Sequence, residues 1–209
     1  MRKLLILAAF VCGAVCAHAD PVEFEFLAWN DGNWQNGYPY YIEEVGGDNT
    51  VIMAMCDDYA HGGMPGDKWM ANITNLGTGN ITRTRFNIAS AATDLYPLSL
   101  YDAAGWLLLE TEQEPMEQWL PINQAIWNIF DSQAPCDTAC EDWESVAFGA
   151  IKSLPQSYYN NVYIVTPVNP HDPNGQDIQE FMYIGKPLQA PARDKQTTPS
   201  GYAMTISRQ

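Results

Sequence analysis

Cys56 is the residue with the most chemistry to offer. It closes the run Val51-Ile52-Met53-Ala54-Met55-Cys56 and is followed at once by Asp57-Asp58. The chain has five cysteines; Cys12 and Cys16 fall in an apolar leader, while Cys136 and Cys140 are close neighbours, so Cys56 is left over. In an oxidising compartment an odd thiol must be buried, bridged to another molecule or consumed in other chemistry. Cys136-Asp137-Thr138-Ala139-Cys140 reads as a local disulfide that tightens a loop before a helix. A metal pair there lacks further Cys or His nearby, and a redox pair needs two intervening residues rather than three. A Cys–His hydrolase would have to pair Cys56 with His61 or His171. Both lie in polar, Gly/Pro-rich loops, and no acid, base and nucleophile converge, so the chain is read as no enzyme and no residue as catalytic. Oxygen-rich turns at Asn30-Asp31-Gly32-Asn33 and around Asp172, Asn174 and Asp177 lack the closing Glu of a calcium loop, and phosphate-loop and zinc-protease motifs are absent. No metal or cofactor is expected.

The second segment of interest is Ile122-Asn123-Gln124-Ala125-Ile126-Trp127, which sets carboxamides inside a helical pattern. Trp119, Ile122, Ile126 and Phe130 repeat at threes and fours and predict an amphipathic helix over 116–130. Pro121 inside it marks either a kink or the first turn of a shorter helix. If Pro121 is the first helical residue, Gln124 lies in the opening turn, where unpaired backbone N–H groups favour negative charge. Helical spacing also runs over 101–111 and 140–154.

Strands flank these helices. Residues 21–29 alternate apolar and acidic. Residues 38–45 and 50–56 predict a hairpin about Gly46-Gly47-Asp48-Asn49, 68–73 a further strand, and 161–168 and 178–184 a closing pair. The order strands, helices, strands predicts a mainly β, α+β chain. Its body is a β-sandwich or barrel with a three-helix segment, about 87–155, between N- and C-terminal strands.

Arg2 and Lys3, the apolar run 4–17 and Ala17-His18-Ala19 predict a signal peptide over 1–19, too short to span a bilayer and cleaved before Asp20. Residues 20–185 then form one domain, and 186–209, rich in Pro, Thr, Ser and Gln, a disordered tail. The chain is acidic, with 10 basic and 25 acidic residues, and the leader removes two of the basic ones. That argues against nucleic acid and anionic lipid as partners. A secreted or cell-surface protein without membrane insertion after cleavage is expected.

At this point the chain resembles the thioester domains of bacterial surface proteins. Those place a cysteine at a strand end and, far downstream, a glutamine in a hydrophobic-Thr-Gln-x-Ala-Ile-Trp type stretch. The layout also resembles exported bacterial proteins that often end in a Pro-Glu-Pro sorting tail. The shared marks are Cys56-Asp57-Asp58, Trp69, Ala103-Ala104-Gly105-Trp106-Leu107, Gln124-Ala125-Ile126-Trp127, Tyr163-Ile164-Val165-Thr166-Pro167 and Gln179-Glu180-Phe181, spread over 38–184. Asn123 stands where Thr is expected, Met55 where an aromatic is common, and no such tail is read after residue 184.

The resemblance implies a binding or adhesion module in which Cys56 sulfur and the Gln124 side-chain carbonyl join with loss of ammonia. Tyr59, Trp69 and Trp127 would keep water out. An amine on an extracellular protein or surface partner would later take the acyl group, with Cys56 leaving. Asp57 and Asp58 oppose a thiolate and serve the turn or a general base. The alternative is a structural exoprotein of the same fold without the bond, and a secreted cysteine hydrolase ranks last.

Overall fold

The computed structural model describes residues 20–29, 39–87, 96–168 and 178–185. Six strands, β1 (Val22–Trp29), β2 (Tyr40–Glu44), β3 (Val51–Cys56), β4 (Lys68–Asn75), β5 (Val162–Pro167) and β6 (Phe181–Ile184), close into an antiparallel barrel. The order around it is β1-β2-β3-β6-β5-β4. Among the described residues between β4 and β5 lie three α-helices, α1 (Pro97–Glu110), α2 (Trp119–Phe130) and α3 (Thr138–Ala150). Of the two bodies expected, sandwich or barrel, the chain adopts the barrel. The proposed leader, residues 1–19, and the tail, 186–209, lie outside the described residues, as do Asn30–Asn33, His171 and Asp172–Asp177.

The strand sequences follow from which faces are covered. Phe24 and Phe26 of β1 point into the barrel, whereas Glu23 and Glu25 stay outside, giving the alternation of a half-solvated strand. β5 is buried along its whole length because Tyr163 and Val165 face the barrel interior while Val162 and Ile164 face the helices. β6 does the same with Phe181 and Tyr183 inside and Met182 under the helices. There are thus two cores. Aromatic side chains fill the barrel, with Phe181 within 6.0 Å of the ring centres of Phe26, Tyr40 and Trp69. The second core lies between helices and barrel wall around Tyr101, Leu107, Ile122, Ile126 and Met182. Each fully buried Leu, Ile or Phe contributes about 1.5–3 kcal/mol.

Helix ends are set locally. Pro97 opens α1 at its first position, where its missing N–H costs nothing. α2 starts at Trp119, so Pro121 sits in its first turn without kinking it. This corrects the conditional placement of Gln124 in the opening turn: it is the sixth residue of α2, in the second turn. Asp137 caps α3 by accepting from the Cys140 N–H at 3.0 Å, and Cys136 and Cys140 form a disulfide across that cap.

Candidate functional site

β3 alternates Ile52, Ala54 and Cys56 into the barrel, so the last residue of the strand puts its sulfur at the barrel mouth among apolar and aromatic side chains. Cys56 is 1% exposed. Its thiol donates to the Asp58 carbonyl at 3.2 Å and accepts from the Asp58 N–H at 3.3 Å, a tight turn closed on the sulfur. Burial pushes the thiol well above its ordinary pKa, and the Asp58 and Asp57 charges add to the rise. The Asp58 N–H and the Trp127 indole oppose it weakly. Trp127 Nε1 makes no hydrogen bond, so we read this as a favourable orientation toward the sulfur rather than a formed bond. As a free thiol, Cys56 is thereby held neutral.

α2 closes the mouth. Trp127 joins the barrel core beside Cys56, while its neighbours Ile122, Ala125 and Ile126 turn to the helical core. One turn earlier on the same face, fully buried Asn123 donates its side-chain N–H to the Cys56 carbonyl at 2.9 Å. Gln124, about 100° further round the helix, is half-buried. The carboxamide in hydrogen-bond contact with Cys56 is therefore that of Asn123. Counted back from Ala125-Ile126-Trp127 with its one intervening residue, the glutamine of the thioester-type pattern falls at 123 rather than 124, and its Thr at Ile122 rather than Asn123. This chain has two adjacent carboxamides there.

A cleft of about 460 Å³ opens above the sulfur, with Trp29, Tyr40, Tyr59, Trp127, His61 and Gln179 among its walls. Tyr59 packs on Trp127 with ring centres 5.4 Å apart. Trp69 is not among the cleft-lining residues. It lies inside the barrel, its ring 6.0 Å from Phe24 and 5.8 Å from Phe181.

The two aspartates have separate surroundings. Asp58 holds Arg85 at 3.0 Å and His61 at 2.7 Å, and Arg85 reaches on to the Ile178 carbonyl at 2.5 Å. These bonds tie the loop after β3 to the approach to β6. Asp57 is fully buried, and neither carboxyl oxygen has a donor. Beside it, buried Glu180 accepts from the Tyr101 hydroxyl, the Thr166 hydroxyl and, at 2.8 Å, the Arg85 N–H. Burial raises both carboxyls, Asp57 the further, because Glu180 has three donors and Asp57 none. A proton on Asp57 directed at Glu180 would satisfy the pair.

Sequence reasoning missed Arg85, Tyr101 and the role of Glu180. The available signal was an acidic residue, Glu180, directly before the apolar run 181–184. Among the described residues no cluster of His, Cys, Asp or Glu is arranged to hold a metal ion, and no helix is long and apolar enough to cross a membrane.

No protein-family model matches the chain, and no curated protein matches it. Solved structures do. The N-terminal thioester domain of fibronectin-binding protein SfbI from Streptococcus pyogenes is 12% identical, with a TM-score of 0.50, over 80% of this chain and 95% of that one. The N-terminal thioester domain of a surface protein from Clostridium perfringens is also 12% identical, with a TM-score of 0.48, over 77% and 97%. The SfbI domain shows that the barrel with its helical segment is the thioester-domain fold.

Proposed function

We propose that this chain is an exported binding module that meets its partner, an extracellular protein or other surface amine, at the cleft above Cys56. The observation that carries this reading is the barrel mouth itself. A strand-end cysteine, the Asn123–Trp127 face of α2 and the Tyr59 ring converge on one open, largely apolar cleft. The fold shared with the SfbI domain supports it.

The sharper form of the proposal is an internal thioester. Cys56 Sγ attacks Gln124 Cδ, the S–C bond forms, the C–N bond breaks, and the amide nitrogen leaves as ammonia with the thiol proton. A partner amine later takes the acyl group as an amide and returns the proton to Cys56. Tyr59 and Trp127 restrict water at the sulfur. The second reading keeps the module and leaves Cys56 a thiol. It is favoured by the hydrogen bonds between the thiol and the Asp58 backbone and by Asn123, rather than Gln124, meeting Cys56.

Intact mass decides between them. A thioester leaves the chain about 17 Da lighter than its sequence with the disulfide formed. It also incorporates methylamine, and Cys56→Ala abolishes both. Loss of the deficit in Gln124→Ala assigns the acyl group to Gln124, whereas a deficit that survives there and vanishes in Asn123→Ala assigns it to Asn123. A full mass with an alkylatable Cys56 removes the covalent step.

A further inference from the structure

Asn123 is a polar side chain with no exposure to solvent, set in a helix whose neighbouring buried positions are apolar. Its amide is spent on a main-chain carbonyl 67 positions away in sequence, that of Cys56. At that point β3 ends, its last pair with β6 being Cys56–Phe181. Beyond it the chain is held to the approach to β6 by the Asp57 N–H on the Glu180 carbonyl at 3.4 Å and by the Asp58 ion pairs, and the Asn123 side chain adds a tie from the helix above. Four residues on, Trp127 covers the same sulfur from the same face of α2.

We infer that Asn123 is the positioning residue of this site: its hydrogen bond to the Cys56 carbonyl fastens the end of β3 beneath α2 and keeps the sulfur enclosed. The inference shares the Cys56-centred site of the proposal above but concerns the position of the sulfur, so it stands whether or not an acyl group forms. Removing the donor leaves a buried carbonyl acceptor without it, and the strand end then opens independently of the global fold.

The test is the alkylation rate of Cys56 by iodoacetamide in folded protein, after methylamine has released any acyl group. Asn123→Leu, close in size but without the donor, is expected to alkylate at least tenfold faster than the parent. Ile129→Ala, on the helical-core face of α2, serves as a stability control. Adjusted with denaturant to the same distance from its unfolding midpoint, it should stay within twofold of the parent. Should Asn123→Leu fail to fold, Asn123→Ala carries the same expectation. Unchanged alkylation in the Asn123 variants, or equal acceleration in Ile129→Ala, overturns the inference. Failure of the thioester reading appears separately, as a full intact mass in the parent.

Discussion

Asp57 and Cys56 are adjacent, yet burial acts on them to different ends. At Cys56 it holds a thiol neutral. At Asp57 it raises the carboxyl well above its ordinary value, further than at Glu180, which three donors hold back. The direction of the pH dependence follows. A carboxyl raised on folding stabilises the protein fully below its unfolded pKa of about 3.9 and loses that contribution as pH rises through the folded value. Asp57→Asn keeps a donor toward Glu180 and removes the titration. The unfolding free energy of the parent, measured by urea titration from pH 4 upward, should therefore fall relative to Asp57→Asn as pH increases. Parallel curves for the two proteins would mean that Asp57 and Glu180 do not share a proton.

At the scale of elements, short-range packing fixes how helices and turns meet the barrel. Gly77 lies in the single helical turn after β4. A Cβ there would sit 2.7 Å from the Cα and 2.9 Å from the backbone nitrogen of Asn160, main-chain atoms that cannot swing aside. Gly77→Ala should cost about 1–3 kcal/mol in chemical denaturation, as overpacking does. A variant as stable as the parent would show that the turn yields without cost. The cap of α3 makes a smaller claim. Asp137→Ala removes the acceptor for the Cys140 N–H and should cost about 1 kcal/mol, read as a drop in Tm of roughly 2–4 °C. No change in Tm would leave the disulfide as the sole organiser of that turn.

For the whole molecule, the two cores share the walls β5 and β6, whose residues alternate between them. Barrel and helices should therefore unfold together. Near-UV circular dichroism, dominated by the packed aromatics, and far-UV circular dichroism should give one coincident transition, whereas two separated transitions would mean independent units. That shared wall also explains what was legible in the chain. The sequence by itself determined the elements whose pattern is local. These are the alternating β1, the β2–β3 hairpin about Gly46 to Asn49, the apolar stripe of α2 and the close Cys136–Cys140 pair. One solvated face, a turn signal or a short separation writes each of them into neighbouring residues. The lone status of Cys56 was equally plain from counting. Only the tertiary structure decided that the sheet closes, because closure rests on β3–β6 and β4–β5 pairings between residues far apart in sequence. Only it decided that α2 turns Asn123 to the Cys56 carbonyl, since a helix register against a distant strand end is set by packing on both cores. The buried Asp57–Glu180 pair was hidden for the same reason: burial and hydrogen-bond donors belong to the assembled fold, and no run of adjacent residues encodes them.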